Sequence, residues 1–457
     1  MENGSPPLPR TLGFRDLVLL GIVAIVNFGL IPTVAVFGRA TLLVWVLAFL
    51  VFFLPSIAAV LALSRRYPGE GGVYLWARHQ FGDLHGFISG WCYWTNNLFY
   101  IPMQLLVIAG VLAFAGSDPK GLGDDKAFVA AVAFGWLALA TAANVRGLRV
   151  GKWIQNAGAV CILLLGLLIV AGALWAARQG VTERPPAVRE LHWSMLPAFS
   201  VMCLAFVGIE LASTLGDEIR RPERDLPRAI VLAGAIVLLA YLAVTAALLA
   251  LVPWREIGVV QGLMQALARG ASRAGLRWIV APAAVLTALS IGGSTSAWFA
   301  GSARIPFVAG VDRDLPPALG RVHPRWGSPA VALVVNAAVS AVLTGVALTG
   351  STVAEAYQQL LNSTVVIQMI PFLYVFAGLF RLEGARAWLR LLGGLGLAST
   401  ALGVAMAFVP PREVAHVALF EIKLAAGVLA TLGVGLAFHL RAARAARTEI
   451  RPAPYSR

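Results

Sequence analysis

Charge is what this chain lacks. Its 457 residues include 22 Asp and Glu, and charged residues of both signs make up 13% of the total. A soluble domain carries about a quarter. The 59% apolar content therefore implies an integral membrane protein, for which counting domains by length has no meaning. Cysteine is scarce as well. Cys92, Cys161 and Cys203 each fall inside an apolar run, too scattered for a metal site, and read as small packing residues. Six histidines are dispersed. No close His/Glu pair suggests zinc, and no Gly-rich phosphate loop suggests nucleotide hydrolysis. With no nucleophile–base constellation, an enzyme has least support, and no cofactor or metal is expected.

The net charge of +14 invites a nucleic-acid reading. That reading fails because the basic residues sit in loops between apolar runs, where the positive-inside rule puts them. Twelve such runs fill the chain, near 16–37, 42–64, 86–115, 127–145, 153–177, 193–217, 229–252, 276–305, 329–349, 357–379, 386–409 and 416–440. Each approaches the ~20 residues needed to cross a bilayer. No cleavable leader is read: residues 1–13 are polar and Pro-rich, and the first run is long enough to span. Two-thirds of the 36 Lys and Arg lie in loops on the amino-terminal side, which puts both termini in the cytoplasm. The loop between spans 7 and 8 is the exception, being basic on the predicted outside.

Two runs carry breaks. Span 1 reads Val26-Asn27-Phe28-Gly29-Leu30, with Pro32 beyond; span 6 reads Phe206-Val207-Gly208-Ile209-Glu210. Backbone in lipid must satisfy its own hydrogen bonds, so a break is tolerated only where it is buried or lines a cavity. Interrupted spans opening two successive halves point to a transporter's binding site. Amides freed in span 1 could hold an anion such as a carboxylate, though a Pro-kinked packing helix fits the same residues. Glu210 could carry a proton, contact a substrate amine, or hold the unwound segment by accepting amide bonds. Asn97 and Tyr100 in span 3 are candidates for the cavity. Ser294 and Thr295 in span 8, with Glu210, are candidates for a coupling ion; helix glue is the alternative for the hydroxyls. Gly82, Gly86 and Gly90 form a packing stripe.

Hydropathy alone makes spans 1–5 and 6–10 alike in plan, each opening on a broken helix. An odd number of spans inverts the second copy. The expected architecture is all-α, with twelve transmembrane helices. A cytoplasmic segment 1–13 precedes a ten-helix core over 14–380, built of repeats 14–178 and 193–380. Helices 11 and 12 follow over 381–440, then a basic, disordered cytoplasmic tail over 441–457.

Three blocks carry a resemblance: SRRYPGEGGVYLWARHQFGDLHGFISGWCYW (64–94), FVGIELASTLGDEIRRPERDLPRAI (206–230) and GSARIPFVAGVDRDLPPALGRVHPRWGSPAVAL (301–333). In this order and at these separations the chain resembles the amino acid–polyamine–organocation (APC) superfamily over about residues 13–440. NNLFYIP (96–102) looks closest to bacterial permeases of the glutamate/GABA antiporter-like group. The resemblance implies a LeuT-like fold with a 5+5 inverted repeat, and secondary-active transport of amino acids or related amines. It implies that backbone groups of the two breaks bind the substrate's carboxylate and amine. By position these are Val26, Asn27, Phe28, Gly29 and Leu30 with Phe206, Val207, Gly208, Ile209 and Glu210.

Two departures stand out. Typical members of the superfamily have Gly-Ser/Thr-Gly in span 1; here only the last glycine is kept and Phe28 replaces the small central residue, which predicts a narrower pocket or an altered hold on a carboxylate. Some proton-coupled members carry a lysine in span 5, where this chain has Ile162; the nearest lysine is Lys152. The expected protein is an inner-membrane carrier of a small-molecule substrate, coupled to protons or sodium or working by exchange. It would lie in the lipid bilayer and have no nucleic-acid partner. A non-transporting membrane sensor that retains the fold is the alternative. Gly208→Leu is expected to block binding while leaving the fold intact.

Overall fold

The computed structural model describes residues 8–35, 37–180, 182–183, 195–252, 262–273, 275–349, 353–409 and 417–449. Its regular elements are helical; the described residues add only two isolated β-bridges. Among the described residues eleven helices are long and apolar enough to cross a membrane, so the chain is an all-α multi-pass membrane protein. Span 6 is missing from that set for a physical reason. It is divided into Leu196–Ala205 and Leu211–Thr214, neither long enough to cross. Span 1 is interrupted as well: helix Phe14–Ile25 stops at an extended Val26 and Asn27 before the chain turns helical again through Ile31–Ala35.

Burial sorts the helices. Asp83–Leu112 (span 3) is largely enclosed, and so is the half of Val280–Ser302 (span 8) beyond Thr287. Span 8 packs on span 3 and on Leu148–Arg178 (span 5), and span 1 packs on span 5 and on Pro222–Leu251 (span 7). Spans 5 and 8 meet backbone to backbone, because a Cβ on Gly158 would lie 2.6 Å from the Gly293 Cα, and the reverse also holds. Small residues permit such an approach where lipid provides no hydrophobic drive between helices. Peripheral helices turn large apolar side chains outward, among them Leu167, Leu239, Val342 and Leu429. Around a helix bundle of this kind, exposed apolar surface is the surface that faces acyl chains.

Residues 8–13 are tied down. The Thr11 and Leu12 amides donate to Glu218 O, the Arg220 amide donates to Leu12 O at 2.9 Å, and Leu12 is buried. At the other end Val417–Glu449 is one helix, so residues 441–449 continue span 12 instead of starting a disordered tail. Residues 450–457, like 1–7, lie outside the described residues. The glycine stripe packs as expected: a Cβ at Gly86 would strike Arg78, and one at Gly90 would strike Tyr74.

The amino-terminal side is closed by buried charge. Arg304 is 1% exposed. Its Nη2 donates to both Glu218 carboxylate oxygens at 3.1 Å, Nη1 donates to Ala300 O at 2.7 Å, and Nε lies 3.7 Å from Glu70 Oε1. Glu70 also accepts from the Asp217 amide at 3.1 Å. Two carboxylates thus share one guanidinium. Burial lifts the Glu70 carboxyl well above its ordinary 4.5; the neighbouring Glu218 charge adds to this and Arg304 opposes it. Burial lifts Glu218 too, again against Arg304. A second cluster beside it joins Arg78 to Asp83 and Asp312, with Tyr74 within 2.9 Å of Asp312 and Asp314.

Removing the shared cation leaves buried carboxylates unpaired, a loss of about 3–5 kcal/mol. Arg304→Met should lower the unfolding temperature in detergent accordingly. The raised Glu70 value means that the folded protein binds more protons than the unfolded chain above pH 4.5. Stability should therefore be highest on the acid side and fall as pH rises through the folded value. Thermal unfolding across pH should show that fall, and Glu70→Gln should flatten it.

Candidate functional site

Each break is held open by its own side chain. In span 1 the Asn27 side-chain oxygen accepts from the Gly29 amide at 3.0 Å, capping the single turn Phe28–Leu30. In span 6, Gly208 has φ +130°, a conformation natural to glycine. Glu210 Oε2 accepts from the Gly208 amide at 3.0 Å, while Tyr93 donates to Oε1 at 3.2 Å. Glu210 is fully buried, and these bonds give it the amide-holding role among those its sequence position allowed.

The two breaks touch. A Cβ on Gly208 would lie 3.0 Å from Ile25 Cγ1 and 3.1 Å from the Ala24 carbonyl. Tyr241 of span 7 joins them. Its hydroxyl accepts from the Asn27 amide at 3.0 Å and faces Ile25 O at 2.8 Å and Ala205 O at 2.9 Å. With one proton to donate to two carbonyls, Tyr241 satisfies one helix end at the expense of the other. Trp298 Nε1 donates to Ala24 O at 2.9 Å. Trp45 stacks on the Tyr241 ring with centroids 4.3 Å apart and donates to Thr245 at 3.1 Å. The hydroxyl is thereby fixed from the far side.

These ends open onto one cavity. Asn27 and Leu30 of span 1 line it, with Val207 of span 6, Tyr100 of span 3 and Trp298. So do three polar residues that the candidate set omitted: Asn96, Thr364 and Gln368. Asn96 Nδ2 donates to Gln368 Oε1 at 2.5 Å, which leaves Asn96 Oδ1, Gln368 Nε2 and Thr364 Oγ1 buried without partners. Unsatisfied buried polar atoms are rare and call for a reason; here they face the space between the breaks. Its free volume is about 30 Å³, room for one or two waters, so the site must widen to take a larger molecule.

Other candidates lie elsewhere. Asn97 faces away from this cavity and donates to Tyr93 O at 2.9 Å. Phe206 stacks on Phe53 at 4.8 Å and edges Tyr241. Ile209 and Glu210 are buried behind the lining. Phe28 does not narrow the cavity. Its ring points toward span 5, where a Cβ on Gly166 would meet it at 3.2 Å. There, with Val26, Gly29, Ile162 and Ser294, it lines a second space of about 10 Å³. Tyr100 reaches toward Ser294 and Asn27, so the two spaces adjoin. Thr295 donates to Ile291 O of its own helix at 2.8 Å. Lys152 pairs with Asp16 at 3.0 Å, at the far end of span 1.

A permease model supplies the deciding comparison, since the family described as amino acid permease matches residues 12–420. The chain belongs to that family. An uncharacterized transporter of Legionella pneumophila is 26% identical over 445 residues, covering 92% of this chain and 94% of the relative. The branched-chain amino acid permease of Bacillus subtilis is 25% identical, with 75% and 76% covered. The low-affinity putrescine importer of Escherichia coli is 27% identical, with 70% and 68% covered. This permease is thus similar in sequence to relatives named for an amino acid and for an amine.

Tyr241, Trp298 and Gln368 were missed because they lie away from the two breaks, in spans 7, 8 and 10, and only packing shows which polar side chains of those spans face the breaks. A hydrogen-bonding side chain within an apolar span was the available signal. Gly208→Leu now has a different expected outcome, because its side chain would meet the Ala24 backbone at an unfavourable φ: the fold itself should fail. Tyr241→Phe removes one hydroxyl from three backbone groups, and each group left unsatisfied costs about 1–3 kcal/mol. The unfolding temperature should fall, and the expressed protein should remain monodisperse in size-exclusion chromatography.

Proposed function

We propose that this permease is a secondary-active carrier that moves an amino acid or its decarboxylated amine across the cytoplasmic membrane by alternating access. The observation that carries the reading is the meeting of both helix breaks at one cavity bearing unpartnered Asn96, Thr364 and Gln368 atoms. Helices Phe14–Ile25 and Leu196–Ala205 both end there, and helix C-termini favour cations. The Gly29, Asn27 and Gly208 amides already have partners in Asn27, Tyr241 and Glu210. Carbonyls, with Tyr241 dividing one proton between two of them, are left to receive a ligand. That balance supports recognition of the substrate's ammonium before its carboxylate, and the Asn96–Gln368 amide pair suits the remainder of the molecule.

In this reading the chain has twelve spans. A core over 14–380 consists of inverted repeats 14–178 and 193–380; helices 11 and 12 stand outside it, and both termini are cytoplasmic. The Arg304–Glu218–Glu70 cluster is the closed inner door. Opening it separates the segments around 12, 70 and 218, while the breaks in spans 1 and 6 let half-helices tilt. Substrate is carried without chemical conversion. Binding favours one side's state only by its differential affinity for the two. A proton on Glu210 or a cation beside Ser294 are the two coupling routes that the chain's residues offer.

Purified protein in liposomes provides the test. Labelled amines and amino acids are offered with and without pH or sodium gradients. Saturable uptake is expected, with a decarboxylated amine competing at least as well as its parent amino acid. Gln368→Leu should raise the half-saturating concentration about tenfold, as expected when a ligand loses a hydrogen bond at ~1.4 kcal/mol. Competition by carboxylates that lack an amine would overturn the ammonium reading. Absence of uptake by monodisperse protein would overturn the carrier.

A further inference from the structure

The loop between spans 7 and 8 is basic on the side where loop charges are otherwise few. Helix Gly262–Arg273 and the turn Arg277–Ile279 carry Arg269, Arg273 and Arg277, and Arg178 closes span 5. Against these four charges, segments 178–183 and 262–279 contain one acid, Glu183. Leu263, Met264 and Leu267 recur on one helical face and are buried. The helix lies over the outer half of span 1 and against spans 7 and 8, at the end of the bundle opposite Arg304.

Beneath it lies a cavity of about 350 Å³ that the transport reading does not use. That volume is in the range of ligand pockets, about 300–1,000 Å³. Its walls include Leu168, Gly172 and Trp175 of span 5, Leu251 of span 7, and Leu267 and Leu276 of the loop. Among the described lining residues none is charged or amide-bearing. Along span 5 the lining runs from Leu168 to Ala176, about 12 Å of helix axis, so the space is elongated parallel to the helices. Trp175 of the lining is 39% exposed, and Trp278, which lies between the lining residues Leu276 and Ile279 in sequence, is 72% exposed; tryptophans gather at the headgroup level of a bilayer. Arg178 lies just past Trp175, Arg269 adjoins the lining residue Gly270, and Arg277 adjoins Leu276. Arg277 Nε donates to Ser272 Oγ at 3.1 Å, which orients its guanidinium.

We propose that this is a binding site for an anionic phospholipid. One acyl chain lies in the cavity along span 5, and the phosphate is received by Arg178, Arg269 and Arg277. An apolar slot at acyl depth beneath arginines at headgroup depth matches the two halves of such a molecule. Arg178, Arg269 and Arg277 are all exposed on the side poor in basic residues, where a lipid phosphate can reach them. A basic residue near an anionic headgroup contributes about 1 kcal/mol, roughly fivefold in occupancy.

The full-length protein, exchanged into detergent with equimolar phosphatidylglycerol and phosphatidylcholine, is examined by native mass spectrometry. One phosphatidylglycerol should be retained per chain in preference to phosphatidylcholine. Exposed Arg178→Gln, Arg269→Gln and Arg277→Gln should each lower that retention about fivefold. Gly172→Phe, which enters open space, should exclude the lipid while size-exclusion chromatography shows monodisperse protein. If that variant misfolds, the arginine variants decide alone. Equal retention of the two lipids, retention unchanged by the arginine variants, or no retained lipid would each overturn the proposal.

Discussion

A single hydroxyl bonds both interrupted helices. Lipid offers no water to a free peptide group, so unwinding two helices at mid-bundle is possible only if their loose ends find partners inside the protein. Tyr241 meets Asn27 N, Ile25 O and Ala205 O at once. Trp298 takes Ala24 O, and Asn27 and Glu210 cap the amides two residues away. The breaks are therefore polar junctions with a fixed geometry, and Gly208 lets them approach to van der Waals contact. A shared proton at such a junction is well suited to exchange partners, since a ligand that takes one carbonyl releases the hydroxyl to the other.

The same economy governs the amino-terminal face. One buried guanidinium serves two carboxylates contributed by different loops. This arrangement stabilises less than a neutral core would, because desolvation offsets much of the attraction. Its advantage is in switching. Charges that lose little by returning to water make a closure that can open, whereas an apolar seal of equal area would hold the bundle in one state. The β-bridge between Leu12 and Ile219 ties the segment that leads into span 1 to the loop that carries Glu218.

Positions of polar groups then divide the molecule by depth. At mid-bundle they are amides, hydroxyls and the Glu210 carboxyl, satisfied locally or facing the cavity. On the amino-terminal face they are ion pairs. On the opposite face they are arginines over an apolar slot, with a helix resting on span 1. Each layer uses the interaction that its dielectric allows: hydrogen bonds inside, shared charge at the boundary, and long-range attraction to phosphate at the surface.

The sequence by itself determined the class of the molecule. Scarce charge, long apolar runs and loop arginines leave a helical membrane protein as the only arrangement that satisfies the backbone, and Asn27–Gly29 and Gly208–Glu210 mark where two spans must break. These are local consequences of composition and of residues that cannot continue a helix. Tertiary structure alone decided what surrounds the breaks. Phe28 turns to span 5 because Gly166 leaves room there, Asn96 rather than Asn97 reaches the cavity because one residue of helix is a 100° turn, and Thr364 and Gln368 arrive from a helix more than 250 residues away in sequence. Residues 441–449 read as disordered because the apolar run ends before them, yet the helix continues through them; the pairing of Leu12 with Ile219 likewise has no signature in hydropathy. Hydropathy records which segments leave water, but the partner of each polar atom depends on helix rotation and packing, which no single segment encodes.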